Sequence, residues 1–251
     1  MMVVTEPETQ LSFFNASPFN AETDFEDINR YFEHRSLEAL LQWNLATFGD
    51  KMAQVTSFGP SGMVILDHLA RLNPGMRVIT LDTDFLFEET YALWEEVQRR
   101  YPIQLDIRRT SLSPQLQAET YGPELWQVNP DQCCHLRKVV PLYDTLVELD
   151  AWLSGLRRDQ SRTRADLPLM MWDARYALVK INPLAHWTRG QVWRYILDHQ
   201  VPYNPLHDQG YTSIGCTHCT RPVVNPGDER AGRWLGRQKV ECGIHLPGGE
   251  S

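Results

Sequence analysis

Apolar residues along this chain recur with two periods, and the alternation between the two outlines a fold. Leu37, Leu40, Leu41, Leu45 and Phe48 return at helical spacing, with Gly49 behind them as a C-cap. MAQVTSF (52–58) then has the length of a buried strand, and 61–72 the pattern of a helix. RVITLD (77–82) repeats the strand signal. The helix predicted over 87–101 carries Glu88 and Glu89 early and Arg99 and Arg100 late, the order that the helix dipole favours. QLDIR (104–108) reads as a third strand, 135–149 as a helix, AWLSG (151–155) as a short strand, and 169–181 as one or two strands. Thr188 and Gln191 form a capping-box signature for a helix through His199, with Val192, Trp193, Ile196 and Leu197 on its apolar side.

Strands that alternate with helices pair in parallel, so the pattern predicts an α/β fold with a doubly wound, mostly parallel sheet. There is no internal repeat, low-complexity tract or linker. The organisation expected is a polar, acidic arm over 1–30, one α/β domain over 31–235, and a mobile tail over 236–251 that is rich in glycine and polar residues.

Composition narrows this picture. A chain of 251 residues fits one large domain and buries about 70–75% of its unfolded surface without disulfide staples. No apolar run approaches the roughly 18–20 residues of a membrane span. The opening MMVVTEPETQ has neither the basic nor the apolar region of a secretory signal. The cytoplasm is the expected compartment, where cysteines serve metals or catalysis more often than disulfides. The net charge is −8, but residues 1–50 hold nine acidic and two basic residues, so the rest is nearly neutral. Basic clusters therefore stand on a neutral background, and none makes the stripe of a nucleic-acid binder.

The chemistry concentrates in five cysteines. Cys133 and Cys134 are adjacent in DQCCHLRK, and Cys216 and Cys219 form a Cys-x-x-Cys in IGCTHCT. Four thiolates arranged two plus two suit a 4Fe–4S cluster, whose iron corners are spread in space. Zinc is the alternative, although consecutive side chains converge awkwardly on a single ion; redox or structural thiols are the third. Cys242 is left over, in ECGIHLPGGES, and a leftover intracellular cysteine is a candidate nucleophile. Nucleophilic thiols need nearby cations, and Arg230, Arg233, Arg237, Lys239 and His245 are close in sequence. GLRRDQSRTR (155–164) supplies a second arginine cluster, and the planar guanidinium fork suits phosphate and sulfate oxygens. SFGPSG (57–62) follows the first strand and is placed to cradle an anion at a helix N-terminus, although it lacks the Gly-Lys-Ser/Thr ending of a Walker loop. LDTD (81–84) closes the second strand, and such sheets bind ligands at the carboxyl ends of their strands.

Together SFGPSGMVILD, LDTDFLFEETY, CCHLRKVVPL, SGLRRDQSRTR, INPLAHWT, VPYNPLHDQGYTSIGC, CTRPV, ERAGRW and ECGIHL resemble the assimilatory adenylylsulfate (APS) reductases of the wider PAPS/APS reductase family, from about residue 50 to 246. The paired cysteines match the cluster-bearing branch. The resemblance implies an adenine nucleotide α-hydrolase-like fold and one 4Fe–4S cluster on Cys133, Cys134, Cys216 and Cys219. It implies attack by Cys242 on the sulfur of APS, departure of AMP, and release of sulfite from the cysteine S-sulfonate by thioredoxin or a glutaredoxin-like dithiol protein. It places Lys138 between cluster and substrate, and assigns substrate contacts to Arg158, Arg230, Arg233 and His245. Ser57, Phe58 and Gly59 match the start of the phosphate loop, and Leu81, Asp82 and Thr83 a nucleotide-contacting strand end. A homo-oligomer is implied by resemblance alone. GPSG and LDTD depart from the commoner loop sequences of the family. The competing expectations are a PAPS or dual-specificity reductase, an adenylyltransferase of the same fold, and a non-catalytic iron–sulfur redox sensor.

Overall fold

A computed structural model describes residues 19–224, 228–239 and 241–245. Helices α1 (Glu26–Phe32) and α2 (Leu37–Phe48) precede the alternation β1 (Met52–Val55), α3 (Pro60–Leu72), β2 (Arg77–Asp82), α4 (Glu88–Arg100) and β3 (Gln104–Arg109). Three short helices, α5 (Pro114–Tyr121), α6 (Leu125–Val128) and α7 (Pro130–Cys134), lead through a wide turn to α8 (Val140–Leu146). The chain closes with β4 (Ala151–Leu153), β5 (Met170–Asp173), β6 (Leu178–Ile181) and α9 (Arg189–Asp198).

The six strands form one sheet in the order β3-β2-β1-β4-β6-β5, parallel except for β5 against β6. This is the expected mostly parallel α/β sheet. From β1 the chain winds outward through β2 to β3, then returns to the opposite side of β1 as β4. The loops leaving β1 and β4 therefore diverge, and the carboxyl end of that pair is the crevice where such sheets bind ligands.

Both faces of the sheet are covered, as side-chain alternation requires. Met52, Val78, Leu153 and Val179 point into a core shared with α1 to α4 and α9. Ala53, Ile79, Trp152 and Leu178 point into a second core closed by Leu142 and Leu146 of α8 and by Ile244. The boundary at residue 30 falls inside α1. Phe25, Ile28 and Phe32 are buried in the first core, so the described part of the acidic arm is packed. Residues 1–18 of that arm lie outside the described residues.

Local signals hold at several places. Thr188 and Gln191 make the reciprocal capping box of α9, with Gln191 N donating to Thr188 Oγ1 at 3.2 Å and Thr188 N to Gln191 Oε1 at 2.7 Å. The helix predicted over 135–149 is instead broken. Pro141 has no N–H to give the carbonyl of Arg137, and the Val140 N–H reaches back five residues to the His135 carbonyl, so His135–Val139 widens into a π-turn. That turn carries Arg137 and Lys138. Among the described residues no helix is long and apolar enough to cross a membrane.

Asp67 ties three helices together. It accepts from Tyr101, the C-cap of α4, at 3.0 Å and from Tyr195 of α9 at 2.7 Å, and it pairs with Arg71 at 3.0 Å. Asp67→Ala leaves the buried Tyr101 phenol and the half-buried Tyr195 phenol without this acceptor. The expected loss is about 2–4 kcal/mol, read as a lower denaturant midpoint at unchanged m-value.

Candidate active site

The crevice beyond β1 and β4 is a cleft of about 210 Å³. Its floor is the turn after β1. Thr56 Oγ1 accepts from the Phe58 N–H at 2.9 Å, and Phe58 takes a left-handed φ of 57° that folds its ring inward against Trp94. Ser57 and Gly59 to Gly62 then face the cleft at the N-terminus of the 13-residue α3, whose dipole favours an anion. Glycine eases the close approach where the β1 and β4 loops meet: a Cβ on Gly155 would lie 3.1 Å from the Gly62 nitrogen. The lining also includes Leu81, Thr83, Lys138, Arg164, Arg230, Arg233, Glu241, Cys242 and His245.

Most of the sequence-predicted residues thus converge. Ser57, Gly59, Leu81, Thr83, Lys138, Arg230, Arg233, Cys242 and His245 line one cleft. Phe58 and Asp82 support it from behind: Asp82 is buried, accepts from Tyr91 at 2.8 Å, and pairs with Arg109.

Arg158 does not join them. Its side chain turns away to Glu33, with Nη2 donating to Oε2 at 3.0 Å, and Nε donates to the Leu167 carbonyl at 2.8 Å. Its neighbour Arg157 is fully buried beneath the loop, donating to Ser61 and, at 2.6 Å, to Glu229. Arg164 of the same cluster is the arginine that reaches the cleft, and Gln160, His207, Ser213, Glu229 and Glu241 line it without any signal in the sequence that singles them out. The four arginines of this ten-residue stretch lie in loop and 3₁₀ turns that carry no sustained period to separate inward from outward side chains.

Cys242 is half-buried and packs against the second core. Burial pushes its thiol up, but the Lys138 ammonium, the Ile244 N–H and Arg230 outweigh this and hold it below the ordinary thiol range. Its segment is docked as far as it is described: Ile244 enters the core, Arg175 donates to the Gly243 carbonyl, and His245 stacks on Trp152 at 5.5 Å. Burial, with Lys180 and Arg164 nearby, pushes the His245 imidazole well below its usual range, so it is neutral. Residues 246–251 of the expected tail lie outside the described residues.

The other four cysteines line one small second cavity, with Phe85, Trp126, Pro130, Arg137, Lys138 and His218. Cys133 and Cys134 arrive on the last turn of α7, while Cys216 caps and Cys219 ends a 3₁₀ turn. Thr83 Oγ1 lies 3.2 Å from Cys216 Sγ. No three His, Cys, Asp or Glu side chains among the described residues converge as a single-ion ligand set. Four thiols around one cavity, with no carboxylate in its wall, are the donor chemistry of an iron–sulfur cluster, and in that sense the residues fit one. Burial pushes Cys133 up to about 11 and Cys134 up to about 12, so they take a metal by exchanging protons for it.

Lys138 lines both cavities. Burial pushes its ammonium down, but the sulfurs of Cys216, Cys134 and Cys242 more than restore the charge. Arg233 is the second link. It donates to the Cys219 carbonyl at 3.3 Å while lining the cleft, and a Cβ on Gly215 would collide with its guanidinium.

The family model for the phosphoadenosine phosphosulfate reductase domain matches residues 51–222 and stops short of Cys242. The adenosine 5'-phosphosulfate reductase of Halalkalibacterium halodurans is 48% identical over 225 residues, covering 89% of this chain and 97% of that protein. That of Salinibacter ruber is 49% identical over 232 residues, 92% of either chain. Among solved structures, the phosphoadenylyl-sulfate (PAPS) reductase of Candida auris in its phosphate complex superposes with a TM-score of 0.72 at 34% identity, covering 82% of this chain and all of that one. The FMN adenylyltransferase of Candida glabrata, at 17% identity and a TM-score of 0.54, shares the fold alone.

Proposed function

The chain belongs to the phosphoadenosine phosphosulfate reductase family, and from that premise we propose that it reduces adenosine 5'-phosphosulfate to sulfite and AMP through Cys242. The observation that carries the reading is the juxtaposition of the Cys242 thiol with Lys138, Arg230 and Arg233 in the cleft at the β1–β4 crevice. In this reading the α3 N-terminus and the arginines hold the phosphosulfate, and the Cys242 thiolate attacks its sulfur. The S–O bond to phosphate breaks, AMP leaves with the electron pair, and Cys242 carries an S-sulfonate. Charge develops on the departing phosphate, where fixed cations stabilise it. A thiolate of a dithiol protein, thioredoxin or glutaredoxin-like, then attacks Cys242 Sγ and expels sulfite. Its second thiol resolves the mixed disulfide, so the dithiol supplies both electrons that take sulfur from the sulfate to the sulfite level.

Cys133, Cys134, Cys216 and Cys219 are the residues that would hold a 4Fe–4S cluster. Such a cluster supplies fixed charge beside Lys138 when bound, and no step above depends on electrons from it. A reductase of this kind is expected in the cytoplasm, within sulfate assimilation, as a homo-oligomer. The paired cysteines favour APS over PAPS, and rates with the two nucleotides separate the readings.

The test is an intact-mass spectrum of anaerobically purified protein mixed with APS without reductant. One added SO₃ group is expected, mapped to the Cys242 peptide and removed by thioredoxin as sulfite appears. A nucleotide-bound, iron-replete protein that gains no mass would overturn the reading in favour of an iron–sulfur sensor.

A further inference from the structure

Next to the nucleophile, the cleft contains a carboxylate where an anionic ligand would be expected to meet only cations. Glu241 is 9% exposed and sits against two arginines of the cleft wall. Arg164, 7% exposed, donates to one oxygen, Oε1, from both Nε at 2.9 Å and Nη2 at 2.5 Å. Arg230 Nη2 lies 3.2 Å from Oε2, yet among the described residues Oε2 makes no hydrogen bond. The carboxylate therefore offsets one of the pair's two charges while using only one of its oxygens well. A sulfate or phosphate group, with three free oxygens set tetrahedrally, offers an acceptor to each arginine at once.

We propose that the Glu241 carboxylate is an internal anion held in the Arg164–Arg230 site, which the oxyanion of an incoming ligand displaces, so that filling the site releases the segment carrying Cys242. Glu241 and Cys242 are consecutive, and the next residue, Gly243, has a φ of 90°, a conformation glycine adopts at little cost. Beyond it, Ile244 in the core and His245 against Trp152 anchor the chain. The ion pair is thus the upstream anchor of a short segment whose downstream anchors are the Arg175 bond to the Gly243 carbonyl and the packing of Ile244 and His245. Exchange of one anion for another keeps a counter-charge at the site throughout, which avoids leaving the buried Arg164 guanidinium without one. It also couples the arrival of substrate to freedom of the thiol, which must later meet a separate reductant protein. The inference rests on the proposed function only for the choice of anion and for this second encounter.

A carboxylate that merely orients the two arginines and one that competes for them predict opposite signs. Sulfate titrations by calorimetry on the full-length, iron-replete protein distinguish them. Glu241→Gln keeps the size of the side chain and removes its charge. It is expected to bind sulfate about tenfold tighter than the parent, the effect of removing one opposing charge from a desolvated site. Glu241→Asp, which keeps the charge, is expected to stay nearer the parent. Alkylation of Cys242 by iodoacetamide, followed by peptide mass, reads the second half. Sulfate is expected to speed it in the parent, whereas the Gln variant starts fast and does not respond. Equal or weaker sulfate binding by the Gln variant, or alkylation indifferent to sulfate in the parent, overturns the inference. Neither readout involves turnover, so a failure of the reductase reading would show in the sulfite assay instead.

Discussion

Cys242→Ser is expected to abolish sulfite formation from adenosine 5'-phosphosulfate, by about 10⁴-fold or more, while nucleotide affinity stays within about twofold. A serine hydroxyl is too weakly acidic to be ionised by the same cations, so the attacking atom is lost and its surroundings are kept. The cleft walls that would hold the nucleotide, the β1 turn and the arginines, are made by other residues. Equilibrium binding of AMP and of the sulfonucleotide, beside a sulfite assay with thioredoxin, checks both halves. Residual turnover above about one per cent would mean that another group attacks sulfur, and the cleft offers no second thiol.

Lys138→Met is expected to slow sulfonation of Cys242 by about a hundredfold, with iron content unchanged. Methionine fills a similar volume, so the four thiols and the fold should persist. What disappears is the buried cation that faces Cys242 on one side and the cysteine cavity on the other. Burial then acts on the thiol with less opposition, and its pKa rises, because Lys138 is the foremost group holding it down. The measurement is the single-turnover rate of S-sulfonate formation by quenched mass analysis, with iron assayed on the same samples. An unchanged rate would move the electrostatic burden to Arg230 and Arg233. A loss of iron together with rate would make Lys138 a structural residue of the cysteine cavity.

Much of this arrangement was legible before any tertiary contact was known. The α/β alternation over 52–109 was written in the switch between apolar periods, and the Thr188–Gln191 box in the two side chains that make it. The pairing of Cys133 and Cys134 with Cys216 and Cys219 rested on residue type and count, and the structure brings all four to one cavity. Less legible was the stretch between β3 and α8. The short α5, α6 and α7 bury few residues of their own and present no sustained period, and the widening at His135–Val139 follows from one proline. Arg157 and Arg158 show the limit most directly. They are identical side chains on adjacent positions, one drawn under the cleft loop by Ser61 and Glu229, the other outward by Glu33.

By itself the sequence determined the βα alternation over 52–109, the mostly parallel sheet, and which thiols are available to a metal or as a candidate nucleophile, because each depends on local periodicity or on the chemistry of a side chain. Only the tertiary structure decided that Arg164 faces the cleft while Arg158 turns away to Glu33, and that Glu241 pairs with both Arg164 and Arg230 beside Cys242. Those are relations between residues far apart in the chain, set by how the β1 and β4 loops diverge and by which buried charge finds a partner, and no period or motif of the sequence encodes them singly.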